Sequence, residues 1–135
     1  MRLVIDQQME EKAVLRSWKN TSDPSSGRFK LILIAGALPD FVTQYDDKPY
    51  WRSGPWNGSH FLGVPSVSAG AGNEFWFMNN DNEGTFDFLF SVANQSILAN
   101  YVLNYDGNVF LKNWDGANRK WNVSWQSLGS ECEFY

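Results

Sequence analysis

The feature that most limits what this chain can become is the period of its apolar residues. Aromatic and β-branched side chains recur at every second position in short runs, and each run stops near Gly, Pro, Asn or Asp. No window of a dozen residues keeps helical spacing without such an interruption. Ten strands are expected on this basis: Arg2–Asp6, Ala13–Trp18, Arg28–Ile34, Asp40–Tyr45, Tyr50–Arg52, Glu74–Met78, Thr85–Val92, Ile97–Leu103, Asn108–Trp114 and Lys120–Trp125.

Alternation is sharpest in three of them. Phe86, Phe88, Phe90 and Val92 share a face opposite Asp87 and Ser91. Ile97, Ala99, Tyr101 and Leu103 oppose Asn100 and Asn104, and Trp121, Val123 and Trp125 oppose Lys120, Asn122 and Ser124. Stripes of this kind read as core-facing. Phe29 to Ile34 is apolar on both faces apart from Lys30, which predicts a central or sandwiched strand. Asp106-Gly107 is a two-residue hairpin signal; Asp115 to Asn118 and Asn79 to Gly84 join further pairs. Ser22 to Gly27 reads as a loop, and Gly63 to Gly72, small and weakly patterned, as a long one. The expected fold is all-β: short antiparallel strands forming a sandwich, barrel or prism with long loops.

Size and charge narrow the function classes. At 135 residues one domain is expected, and 7 Trp, 10 Phe and 5 Tyr exclude a disordered segment. A net charge of −4 argues against nucleic acid or anionic membrane as partner. The apolar run after Met1 is too short for a signal peptide, and the longest apolar stretch, Leu31 to Leu38, is too short for a membrane span. Taken literally, these features give a soluble intracellular chain; against that stand four N-x-[ST] triplets, at Asn20, Asn57, Asn94 and Asn122, which are glycosylation candidates. Composition alone gives roughly 1.5 such triplets.

Catalytic chemistry finds little support. The single cysteine, Cys132, forms no internal disulfide, and the single histidine, His60, is distant from it in a loop-like stretch. Asn79-x-Asp81-x-Glu83-Gly84 has the look of a calcium loop, yet Phe90 stands where its bidentate acid belongs. Glu10-Glu11 and Asp46-Asp47 are neighbours whose side chains diverge on a strand, so they read as solvated charges. Asp6 and Asp40 show no obvious acid partner. No catalytic residue, metal or cofactor is expected.

The middle of the chain carries a denser signal. Pro49-Tyr50-Trp51-Arg52-Ser53-Gly54-Pro55-Trp56-Asn57-Gly58, followed by Phe61, Gly63, Val64 and Pro65, resembles the signature of the plant S-locus glycoprotein domain. Ser17-Trp18-Lys19, Asp23-Pro24-Ser25-Ser26-Gly27 with Phe29, and Leu38-Pro39 are similar to its upstream part. Leu103, Asp106-Gly107, Trp114 and Trp121 resemble its tail, and Cys132-Glu133-Phe134-Tyr135 the opening of the epidermal-growth-factor-like module that follows it.

The resemblance implies a non-catalytic ectodomain piece of a G-type lectin S-receptor-like kinase or a secreted S-locus glycoprotein, its antiparallel sheets forming a sandwich or prism-like lectin-type domain with long loops. Its implied divisions are 1–26, strands continuing from a missing bulb-lectin domain; 27–128, the S-locus glycoprotein domain; and 129–135, the start of a truncated growth-factor-like module. It further implies an extracellular setting, a peptide or protein ligand in pollen recognition or defence, and a receptor homodimer in the full-length protein.

Within the signature, Trp51 and Trp56 bring apolar area and indole donors, and Gly54 and Gly58 suit turns. Pro55 fixes φ, and Arg52 can stack on an indole or pair with a carboxylate. These residues read as a rigid corner. A weaker likeness, to the mannose motif of bulb lectins, falls on Asn104, Asp106 and Asn108 and makes carbohydrate the alternative ligand. Only Asp106 and Asn108 match that motif, Asn104, Phe110 and Lys112 departing from it, and Asp106 and Asn108 also suit a tight turn.

Overall fold

The computed structural model describes residues 2–6, 14–34, 37–58, 60–64, 73–80, 85–92 and 98–129, with the main chain alone in 2–6, 73–80 and 85–92. Among them lie β1 (Arg2–Asp6), β2 (Val14–Trp18), β3 (Ser26–Ile34), β4 (Asp40–Tyr45) and β5 (Lys48–Pro55). They are followed by β6 (Asn73–Asn80), β7 (Thr85–Val92), β8 (Ala99–Leu103), β9 (Val109–Asp115) and β10 (Lys120–Gln126). Three antiparallel sheets result, ordered β1-β7-β6, β2-β3-β4-β5 and β10-β9-β8. Every expected run overlaps a strand, and the all-β expectation holds.

The boundaries differ where Pro and Gly misled. β5 runs from Lys48 to Pro55 rather than Tyr50 to Arg52. It is the last strand of its sheet, and an edge strand tolerates the missing N–H of Pro49 and Pro55. β3 begins at Ser26, inside the expected loop, because Trp18 pairs with Ser26 across a register shift.

The core forms where the four-stranded and three-stranded sheets meet. Phe29 and Leu31 of β3 and Leu103 and Val109 of the β8–β9 hairpin are buried together. Leu15, Phe41, Tyr45, Tyr50, Tyr101 and Trp125 ring them. β3 has a strand on each side, as expected; Phe29, Leu31 and Leu33 are buried, while Lys30, Ile32 and Ile34 are half-buried. Each large apolar side chain fully removed from water contributes about 1.5–3 kcal/mol. Tyr101 and Leu103 face inward as their stripe predicts. The Phe86–Val92 stripe concerns side chains outside the described residues.

The stripe on β10 is corrected. Trp121, Val123 and Trp125 do not share a face. A register shift separates Val123, opposite Lys112, from Trp125, opposite Leu111. One extra residue turns the pleat over. Trp125 therefore packs inward against Trp51, while Trp121 and Val123 are 44% and 51% exposed. Trp121 rests edge-on against Trp114, with ring centroids 5.5 Å apart.

Two turns use acids as structure. Asp46 and Asp47 both take positive φ, 47° and 66°, as a tight two-residue hairpin between β4 and β5 requires. Each meets a cation of β3: Arg28 Nε donates to Asp46 at 3.0 Å, and Lys30 pairs with Asp47. At the β9–β10 turn, Asp115 accepts from the Asn118 amide at 2.7 Å and from the Ala117 and Asn118 main-chain N–H at 3.0 and 3.1 Å.

The Asn118 bonds, side chain first, hold the Asp115 carboxyl below the ordinary carboxylate range. A depressed folded pKa adds stability above the unfolded value, and that gain is lost as pH falls through the folded value. Carbon-detected NMR titration should therefore place the Asp115 midpoint lower than that of an unpaired aspartate. In Asn118→Ala the midpoint should climb back toward the usual range; no movement would mean these bonds do not form in solution.

Candidate functional site

The signature between Trp51 and Gly63 forms one corner at the end of β5. Trp51 sits opposite Thr43 of β4, is 7% exposed, and meets Trp125 edge-on at 6.2 Å. Arg52 resolves to its carboxylate option: its Nε donates to Asp40 Oδ2 at 2.9 Å and its terminal nitrogen lies 2.6 Å from the same oxygen. Asp40 is buried, and its other oxygen accepts from the Ser53 hydroxyl at 3.0 Å. That hydroxyl in turn accepts the Phe41 N–H at 3.0 Å. Both oxygens of Asp40 are thus committed to holding β4 on β5.

Beyond Pro55 the chain folds back on itself. Trp56 N–H donates to Pro39 O at 2.9 Å, and Trp56 and Phe61 form a bridge with rings 5.0 Å apart. Phe61 also meets Phe41 at 5.3 Å. Gly63 N–H then donates to Ser53 O at 2.7 Å. This return explains Gly54: its φ is +70°, and a Cβ there would stand 2.8 Å from Gly63 N. Gly58, at φ +102°, turns the loop in open space. The His60 main-chain N–H donates to Asn57 Oδ1 at 3.0 Å, so His60 and Asn57 help close the turn.

The residues of the mannose likeness lie in and beside the β8–β9 turn. Asp106 Oδ1 accepts the Asn108 N–H at 2.9 Å. Asn108 is buried, and its Oδ1 accepts from the Ser127 hydroxyl at 2.9 Å and the Leu128 N–H at 3.1 Å. Ser127 Oγ accepts the Val109 N–H at 2.9 Å. Asn108 therefore fastens the chain after β10 to the start of β9. Asn104 is half-buried; its main-chain N–H donates to Asn108 O at 2.8 Å, its carbonyl accepts the Gly107 N–H at 3.0 Å, and it lines a cleft with Trp18 and Tyr105.

Asn108→Ala strands the Ser127 hydroxyl and the Leu128 N–H, and a buried unpaired polar group costs about 1–3 kcal/mol. Urea denaturation should show a loss of about 2 kcal/mol. Unchanged stability would mean that the side chain is free for a ligand.

Of the sequon asparagines, Asn20, Asn57 and Asn122 are exposed, and Asn94 lies outside the described residues. Asn20 Oδ1 caps its turn, accepting from Ser22 N–H at 2.9 Å and Asp23 N–H at 3.0 Å. Cys132, the loop from Pro65 to Gly72 and the turn residues Asp81 to Gly84 also lie outside the described residues. Among the described residues no group of three or more His, Cys, Asp or Glu is placed to hold a metal. No helix among them is long and apolar enough to cross a membrane.

Sheets packed through aromatic residues, with a signature spent on internal bonds, define an all-β scaffold domain. The particular family follows from comparison with known proteins. The S-locus glycoprotein domain matches residues 51–135, and the chain belongs to that family. Over its whole length it is 33% identical to the Arabidopsis thaliana G-type lectin S-receptor-like serine/threonine-protein kinase SD1-13, of which it spans 16%. It is 33% identical to the S-locus-specific glycoprotein BS29-2 of Brassica oleracea var. alboglabra and 32% identical to the S-locus-specific glycoprotein S6 of Brassica oleracea. It spans 31% of each of these two and, again, the whole of this chain is covered.

Proposed function

We propose that this chain is a non-catalytic, extracellular recognition module of a plant receptor-like kinase or S-locus glycoprotein. It binds a peptide or protein ligand in pollen recognition or defence signalling. In the full-length protein it pairs with a second copy, and residues 27–128 form the recognition domain. The carrying observation is the fate of the signature: Trp51 and Trp56 are buried, and Arg52 is bound to Asp40. These residues stiffen a scaffold, and loops and strand edges are left to meet a partner.

Carbohydrate binding by Asn104, Asp106 and Asn108 is the weaker reading, since the oxygens of Asp106 and Asn108 already accept bonds from the chain. Immobilised protein should be exposed to pollen-coat extract, to the same extract after protease digestion, and to a mannose glycan array. Protease-sensitive retention with a silent array is the expected result. A mannose signal abolished by Asp106→Ala would overturn it.

A further inference from the structure

Two strand edges carry main-chain groups that no neighbouring strand uses among the described residues. In the β8–β9 ladder, Asn104 N–H donates to Asn108 O and Trp114 N–H to Leu98 O, each at 2.8 Å. Bonded and non-bonded pairs alternate along an antiparallel ladder. Leu103, opposite Val109, therefore turns its N–H and C=O away from β9. The same reasoning applies to β2. Asp46 N–H donates to Arg28 O at 3.2 Å, which sets the parity of β3 against β4. Leu31 then faces β2, so Leu15 bonds to it and Arg16 turns its main-chain groups outward. Both β2 and β8 end their sheets.

Between these edges lies a cleft of about 450 Å³, within the range of ligand pockets. β2 lines it with Leu15, Arg16 and Trp18, and β8 and its turn with the consecutive residues 101–105. Successive residues of a strand point to opposite faces, so an unbroken run sets the edge of β8 along the cleft, with Leu103 itself only 9% exposed. A second cleft of about 470 Å³ adjoins across Tyr105 and contains Lys19 and Arg28. Among the described residues neither lining holds an Asp or Glu, in a chain with 15 acids against 11 Lys and Arg. Arg28 is paired with Asp46; Arg16 and Lys19 have no ion pair among the described residues. Trp18 and Tyr105 are 53% and 43% exposed.

We propose that this cleft binds an extended, acidic peptide segment, added to the Leu103 edge of β8 by main-chain hydrogen bonds. Its carboxylates meet Arg16 and Lys19, and an apolar side chain rests against Trp18 and Tyr105. The proposal builds on the peptide reading above and gives it a place and a chemistry. Main-chain donors and acceptors at strand spacing match a polypeptide. A local excess of cations on an acidic protein selects the sign of the partner.

The test uses the isotopically labelled 135-residue chain and a blocked decapeptide of alternating Glu and Val. Titration should move the Leu103 amide and Trp18 indole signals to saturation. A Lys-Val decapeptide, and a Glu-Val decapeptide with every main-chain nitrogen methylated, should leave them in place. Arg16→Glu should weaken binding about tenfold, equivalent to about 1.4 kcal/mol, with an unchanged melting temperature. Trp18→Ala, also at an exposed position, should weaken it as well.

Absence of saturable shifts, full binding by the methylated or Lys-Val peptide, or wild-type binding by Arg16→Glu would each overturn the proposal. So would a galacturonate oligomer producing the same shifts where the peptide produces none. If Arg16→Glu and Trp18→Ala still retain the protease-sensitive pollen-coat component at full strength, peptide recognition stands and this cleft is not its site.

Discussion

Trp51→Ala is expected to destabilise the chain by about 3–5 kcal/mol, the range for truncating a large buried aromatic. Stabilities of single domains are about 5–15 kcal/mol, so much of the folded margin would go. The indole is 7% exposed and wedged between the β4–β5 ladder and Trp125 of the facing sheet. An aromatic pair of this geometry adds about 0.5–1.5 kcal/mol beyond its buried area. Trp51 is thus a tie between two sheets, and its loss opens a void that neither sheet can close alone. Urea denaturation followed by far-ultraviolet circular dichroism measures the effect, with Trp18→Ala as comparison. Trp18 is 53% exposed, so its removal should cost under about 1 kcal/mol. The architectural reading of the signature fails if Trp51→Ala is as stable as the parent but no longer retains ligand.

Gly107→Ala should cost about 2–5 kcal/mol for two separable reasons. The residue has φ +86°, and the left-handed region costs a side-chain-bearing residue about 1–2 kcal/mol. A Cβ there would also stand 2.4 and 2.5 Å from two carbons of the Phe29 ring, and overpacking adds about 1–3 kcal/mol. Phe29 has little room to yield, since its ring already meets Tyr45 at 4.8 Å and Tyr50 at 5.1 Å. Gly58→Ala isolates the backbone part: φ is +102°, and nothing lies within 4 Å of the added carbon. Melting curves should rank Gly107→Ala well below Gly58→Ala. Combining Gly107→Ala with Phe29→Leu should recover part of the clash, giving a coupling that the sum of single losses does not. Equal effects at the two glycines would show that the hairpin does not press on the core.

The failures of sequence reading have local causes. Strand existence was legible because side-chain alternation is a property of each strand by itself. The β10 stripe was misread because one inserted residue reverses facing, and Trp121-Asn122-Val123-Ser124-Trp125 looks the same with or without a bulge. Pro49 and Pro55 hide the ends of β5, because a proline reads as a breaker until its strand is known to lie at an edge. Asp46-Asp47 looked like idle surface charge, yet both residues adopt positive φ and close a hairpin against two cations of β3. The signature was visible as a string, while its use was not: Asp40 lies twelve residues from Arg52 and thirteen from Ser53. The cleft was least legible. Trp18 carried no signal beyond family likeness, and Tyr105 none at all, because their surroundings come from strands far apart in the chain.

By itself the sequence determined the all-β class, the rough position of every strand among the described residues, the turn at Asp106-Gly107 and the family. Each is written in a few consecutive residues, where side-chain period, φ preference and a Trp-, Gly- and Pro-rich string act locally. Tertiary structure alone decided which strands became edges, which tryptophans were buried, and where Arg16 and Leu103 aim their main-chain groups. Those outcomes depend on pairing partners and register, and a hydrogen-bond ladder is settled only when two distant segments meet.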